Sequence, residues 1–183
     1  MSTINLETHI KASAEVCYKL SLNVDLHQES TSKTGEHIVG GIQNGIMKLG
    51  DTVTWKAKHF GVWQTLTTEI TEEKPYSLFV DKMTKGAFKS MRHEHHFIEN
   101  EVFTTMKDIF IFESPLGILG KIFNDLILES YMKKFMIERN QLIKEIAESE
   151  KKDIYLQNLI LSKCCFSYFV SGHTFRRIIP TTT

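Results

Sequence analysis

The feature that most constrains this chain is a change of hydrophobic period. From about Glu36 to Phe112 apolar residues alternate with polar ones, and beyond Phe112 they recur at helical spacing for about thirty residues. Strict alternation gives a strand one buried face, whereas the 3.6-residue repeat gives a helix an apolar stripe. A chain with one long stripe and many half-buried strands must lay the helix against the sheet. The sequence therefore predicts an α+β domain.

The breaks in the alternating region are Gly40-Gly41, Gly50-Asp51, Lys74-Pro75 and Lys85-Gly86, which read as turns and give about six successive antiparallel strands. Before them, Ile4, Leu6, Thr8 and Ile10 form an opening strand. Val16, Leu20 and Val24 then fit one or two short helices, with Ser13 as N-cap. After Ser114-Pro115, the residues Leu119, Ile122, Leu126, Phe135, Leu142 and Ile146 trace the face of one long helix. A sheet curving around such a helix encloses an interior suited to a ligand.

Composition narrows the class. With 183 residues, 42% hydrophobic and 24% charged, the chain is long enough for one packed domain and unlike a disordered segment. Net charge is zero, but residues 1–150 carry −4 (17 Lys+Arg, 21 Asp+Glu) and residues 151–183 carry +4 (5 and 1). The body has no broad basic patch, so nucleic acid is not an expected partner. Cys17, Cys164 and Cys165 have neither metal-type spacing nor a relaxed disulfide geometry, which points to a reducing cytoplasm. No signal peptide and no membrane span is read, because Gln157, Asn158 and Lys163 interrupt the apolar run from Ile154 to Val170.

The segments VTWKAKHFGVWQTLTTEIT, FVDKMTKGAFKSMRHEHHF and MKDIFIFESPLGILG, with DLHQEST and LGDTVTW, resemble small bacterial SRPBCC proteins of the START-like, polyketide-cyclase-like superfamily. The resemblance covers about residues 1–148. It implies a helix-grip fold of the birch-pollen-allergen type: a seven-stranded antiparallel curved sheet wrapped around a long C-terminal helix, with two short helices after the first strand and a deep cavity between sheet and helix. Members include binders of lipids, hormones and polyketides, cyclases, chaperone activators and oxygenase domains, so the fold leaves function to the site. GEHIVGGIQNG does not reproduce the glycine-rich loop of the plant members, and no loop function is carried over.

Within MRHEHHF, His93 and His95 share parity with Met91 and Phe97 and therefore face inward, while His96 falls outward with Glu94. On the next strand Met106, Asp108, Phe110 and Phe112 form the inward set. A two-residue turn at Asn100-Glu101 would pair Phe97 with Thr104, His95 with Met106, and His93 with Asp108. His93 and Asp108 are then expected to form a charge-assisted hydrogen bond, with His95, His59 and Asp81 nearby. The bland alternative is a satisfied polar cluster beside water or ligand.

Trp55, His59, Gln64, Phe79, Asp81, Met91, His93, His95, Phe97, Met106, Asp108, Phe110, Met132 and Met136 are the candidate ligand-binding residues. His93, His95 and Asp108 are the catalytic candidates if the protein is an enzyme, a cyclase, dehydratase or hydrolase type. His-x-His on a strand could supply two metal ligands with Asp108 or His59 as a third, but the spacing is short, and no metal or cofactor is assigned. Trp55, Trp63 and the inward phenylalanines are read as core or cavity wall, and Glu138, Arg139, Lys133, Lys134 and Lys144 as the solvated surface of the last helix.

The leading expectation is non-catalytic binding of a hydrophobic small molecule, lipid-, polyketide- or aromatic-like. The alternatives are the enzyme and a protein-interaction module. Residues 151–183 are read as an atypical C-terminal extension outside the 1–150 domain, with contact to a partner or a membrane surface as the competing reading. No oligomeric state is assigned.

Overall fold

The computed structural model describes residues 1–114 and 127–156, the side chain of Lys33 apart. The strands are β1 (Ser2–Ile10), β2 (His37–Gly41), β3 (Thr52–His59), β4 (Val62–Lys74), β5 (Leu78–Lys85), β6 (Ser90–Glu99) and β7 (Thr104–Glu113). Helices α1 (Ala14–Ser21) and α2 (Val24–Ser30) follow β1, and α3 (Glu129–Ala147) and α4 (Lys152–Leu156) close the described chain. The sheet runs β1-β7-β6-β5-β4-β3-β2, every pair antiparallel, so the first and last strands meet and the rest form a meander. This is the helix-grip α+β arrangement that the sequence predicts.

Local chemistry sets the element ends. Ser13 Oγ accepts from the Val16 N–H and starts α1, and Asn23 Oδ1 accepts from the Leu26 N–H and starts α2. At the β3–β4 hairpin, Phe60 and Gly61 both have positive φ, the two-residue turn whose twist matches paired strands. Gly40-Gly41 is not a turn, as the sequence suggested, but the irregular end of β2, where the register with β3 shifts between Ile38 and Gly40. Gly41 has φ 77°, and a Cβ there would lie 2.1 Å from the Thr52 carbonyl oxygen, so only glycine lets the edge strand close onto β3.

The β6–β7 hairpin also differs from expectation. Phe97 pairs with Met106, His95 with Asp108 and His93 with Phe110, a displacement of two residues from the predicted register. The cause is a longer turn: Asn100 N–H donates to the Phe103 carbonyl, and Asn100 Oδ1 accepts from the N–H groups of Val102 and Phe103. A displacement of two preserves parity, so every inward residue stays inward.

The main core forms where α1 and α2 pack over the sheet, around Ile10, Leu20, Leu26, Phe97 and Met106. A second cluster holds Ile4, Met91, Phe110 and Phe112 under Met136 of α3. The expected helix start at Ser114 or Pro115 and the apolar positions Leu119, Ile122 and Leu126 lie outside the described residues, apart from Ser114, which is buried at the end of β7. Residues 157–183 lie outside them too. Beyond residue 150, Tyr155 and Leu156 of α4 pack against the main core and the Tyr155 carbonyl accepts from Asn23 Nδ2 at 3.1 Å.

Candidate functional site

Adjacent strands bring four titratable side chains to one face. On β5 and β6, Asp81 lies directly across from His93; on β6 and β7, His95 lies directly across from Asp108. Each imidazole also reaches the carboxylate diagonal to it, the second-nearest relation across antiparallel strands. His93 Nε2 is 2.9 Å from Asp108 Oδ1, and His95 Nε2 is 3.0 Å from Asp81 Oδ2. His95 Nδ1 comes within 2.9 Å of Asp108 Oδ1 without hydrogen-bond alignment, and His93 Nδ1 lies 3.9 Å from Asp81 Oδ2.

Helix α3 completes the cluster from above. Asn140 Nδ2 donates to Asp108 Oδ2 at 2.7 Å, and Arg139 places Nη1 4.0 Å from Asp108 Oδ1 while Nη2 donates to the Ser21 carbonyl. Arg139 is only 7% exposed, which corrects its reading as a solvated surface residue. The inward stripe of α3 runs through Met132, Met136, Arg139, Asn140, Ile143 and Ile146, so the arginine sits among apolar positions because its charge is met below by Asp108. Asn140 was not singled out from the sequence. The helical spacing of Met132, Met136, Ile143 and Ile146 brackets both polar residues and is the signal that would have found them.

Asp108 is fully buried. Burial alone would raise its carboxyl pKa, but hydrogen bonding and positive charge from His93 and His95 prevail and hold it well below the usual carboxylate range. An ionised carboxylate only accepts, so the His93 proton bonded to it is on Nε2 and Nδ1 carries a lone pair. Burial, with the neighbouring His95 charge, pushes His93 down to about 4 against the pull of Asp108. His95 moves the other way: burial opposes its charge, but the carboxylates of Asp108 and Asp81 against its two ring nitrogens raise it. Burial likewise disfavours the charge on Asp81, and the hydrogen bond from His95 overcomes it.

Asp81, His93 and His95 border a cavity of about 420 Å³ between the sheet and helices α2 and α3, within the range of small-molecule sites. Of the sequence candidates, Trp55, His59, Gln64, Phe79, Asp81, Met91, His93, His95, Phe110, Met132 and Met136 line it. Phe97, Met106 and Asp108 do not. Phe97 and Met106 are covered by α1 as part of the main core, and Asp108 is sealed behind the two histidines by α3. His59 stands apart from the pair, its Nδ1 hydrogen-bonded to the Tyr131 hydroxyl at 2.8 Å, and burial lowers its pKa. Trp63, expected in the core or wall, is 52% exposed, with Lys56 Nζ over its ring. His96 pairs with Glu94 on the outer face, as parity predicts.

Phe135 lines the cavity as the sequence suggested, while sequence reasoning missed Tyr131 and Phe88, which add aromatic wall, and His27, packed against Trp55 and bonded to Glu36 at 2.9 Å. Buried polar atoms in and beside the cluster lack a hydrogen-bond partner: His95 Nδ1, Arg139 Nε and Nη1, and Asn140 Oδ1. In a native protein such buried groups are few and commonly belong to a site.

The architecture defines a helix-grip protein with an internal cavity. No family model matches the chain, and no curated protein matches it. Solved structures do. The chain is similar to TTHA0849 from Thermus thermophilus (15% identity, TM-score 0.64, covering 79% of this chain and 95% of that one). It is similar to major latex-like protein 151 from Panax ginseng (19% identity, TM-score 0.61, 81% and 98%). It is also similar to the Aha1 dimer from Colwellia psychrerythraea (14% identity, TM-score 0.57, 81% and 97%). At these identities the likeness concerns the fold. Among the described residues no helix is long and apolar enough to cross a membrane.

Proposed function

We propose that this is an SRPBCC-type protein that binds a hydrophobic small molecule, lipid-, polyketide- or aromatic-like, without turning it over. The observation that carries the reading is the cavity of about 420 Å³, walled by Trp55, Phe79, Phe110, Tyr131 and Met132, with its titratable groups gathered at Asp81, His93 and His95. An apolar wall with a few convergent polar groups suits an amphiphilic ligand. The polar end offers His93 Nδ1 and Asp81 as acceptors and Arg139 as a donor. A hydroxyl, carboxylic acid or enolised ketone matches that set, because each both donates and accepts.

The enzyme reading uses the same residues, in which burial weakens His93 as a base while the carboxylates shift His95 the other way, so turnover of a bound ligand is what separates the two readings. An interaction module has no need of an open, polar-ended interior. The buried free thiol of Cys17 suits a reducing cytoplasm.

The test is native mass spectrometry of the full-length protein beside an extract of the denatured protein. An organic mass that is retained natively, released on denaturation and lost in His93→Ala supports the reading. A protein that emerges empty, and takes up none of a panel of fatty acids, flavonoids and polyketides, refutes it.

A further inference from the structure

The cavity face of the cluster has the geometry of a metal site. One ligand atom from each of Asp81, His93 and His95 lies within 4.8 Å of the other two, with His93 Nδ1 and His95 Nε2 at 3.9 and 3.0 Å from Asp81 Oδ2, and all three residues line the cavity. Ligand atoms about 2.0–2.2 Å from a shared ion sit roughly 3 to 3.5 Å apart, so closing these contacts takes side-chain adjustments of an ångström or so. Two imidazoles and one carboxylate on a single face are the donors that bind first-row divalent ions while leaving further positions open.

Asp108 supplies the support behind them. It lies within 2.9 Å of the far nitrogen of both imidazoles, Nε2 of His93 and Nδ1 of His95. A metal-bound histidine ordinarily gives its other N–H to a carboxylate, which fixes the tautomer and strengthens the donor. Here a single buried carboxylate bonds His93 Nε2 and stands 2.9 Å from His95 Nδ1, a contact not aligned as a hydrogen bond, and Asn140 and Arg139 hold it from α3.

The charges agree. Arg139 faces Asp108, so that pair is neutral as a unit. Asp81, on the cavity side, remains as a negative charge between two imidazoles. A cation there replaces the N–H that His95 Nε2 gives to Asp81 and leaves the His95 Nδ1–H to Asp108. The ligands come from adjacent strands of a sheet, not from a loop, so the three donors are held by the β5–β6 register itself.

We propose that Asp81, His93 and His95 form a three-ligand site for a divalent transition-metal ion such as Zn²⁺ or Co²⁺, with Asp108 orienting both histidines from behind and the remaining coordination positions facing the cavity. The ligand set differs from the sequence-level possibility, which took Asp108 or His59 as the third donor. Asp108 is on the wrong side of the rings, and His59 is engaged with Tyr131.

The experiment uses the full-length protein, stripped of metal by a chelator and freed of organic ligands by extraction, so its outcome is independent of what else the cavity binds. Titration with Co²⁺ is followed by visible ligand-field absorption, and with Zn²⁺ by calorimetry. The expected result is one saturable equivalent with imidazole-type coordination. His93→Ala and the isosteric Asp81→Asn should each weaken binding at least about 100-fold, while Asp108→Asn should weaken it about 10- to 100-fold at unchanged stoichiometry. Far-UV circular dichroism identifies the variants that stay folded. Asp81→Asn, which preserves shape, carries the decision if His93→Ala does not fold. Absence of saturable binding, or binding of equal affinity in Asp81→Asn, overturns the proposal.

Discussion

At the scale of single residues, Asp108 holds the polar end of the cavity together. It takes a hydrogen bond from His93, another from Asn140, and the charge of Arg139, while fully removed from solvent. Asp108→Ala would leave Arg139 buried without its counter-charge, a change that typically costs about 3–5 kcal/mol. Asp108→Asn keeps the shape and part of the hydrogen bonding and should cost roughly half as much. Urea denaturation of the metal-free proteins measures both, and the ordering of the two variants is the decisive outcome. His59 gives a pH prediction. Burial lowers its folded pKa below the unfolded value near 6.5, so its contribution to stability is present above that value and declines as pH falls toward the folded pKa. Proton NMR should show the His59 ring titrating below the value of the unfolded chain, with Tyr131→Phe altering its curve. Parity alone brought His93, His95, Asp108 and Asp81 to one face, because a period of two is written in the sequence. Arg139 was hidden because a charged residue on an amphipathic helix usually faces water, and the exception depends on a carboxylate that only tertiary packing supplies.

At the scale of elements, turn chemistry fixes what periodicity leaves free. The count of strands was legible, since each has its own alternation and its own flanking breakers. The β6–β7 register was not: Asn100 can open either a two-residue or a longer turn, and its side chain selects the longer by accepting two backbone N–H groups. Asn100→Ala should cost about 1 kcal/mol, the scale of a lost capping interaction, and cross-strand NOEs should show whether pairing of His95 with Asp108 persists. The edge strand β2 rests on Gly41 in the same way. Gly41 and Gly61 have nearly equal positive φ, 77° and 80°, but a Cβ meets the Thr52 carbonyl at Gly41 and nothing within 4 Å at Gly61. Both alanine variants carry the left-handed backbone penalty of roughly 1 kcal/mol. Only Gly41→Ala adds a backbone clash, so it should melt lower than Gly61→Ala, and equal melting temperatures would show that β2 can detach without consequence.

At the scale of the whole molecule, the cavity exists because two helical layers hold different parts of the sheet. Helices α1 and α2 fill one part with side chains, while α3 is kept over the remainder by Met136, Arg139 and Ile143, with the open space between. The same packing continues past residue 150. The change of composition near residue 150 suggested a boundary there, yet Tyr155 and Leu156 lie on the core beside α1, the Tyr155 hydroxyl bonds to Glu29, and its carbonyl satisfies Asn23, the residue that caps α2. Charge and apolar content describe a segment by itself, whereas a boundary depends on what the segment touches. Truncation after Leu156 is the reference that keeps these contacts. Truncation after Glu150 should lose about 2–4 kcal/mol, because it uncovers apolar surface and removes a partner of a buried amide. Asn23 fixes the start of α2, and α2 lines the cavity through Val24 and His27, so the shorter chain should also show weakened ligand retention. Comparable stability of the two truncations would place the boundary at 150 after all.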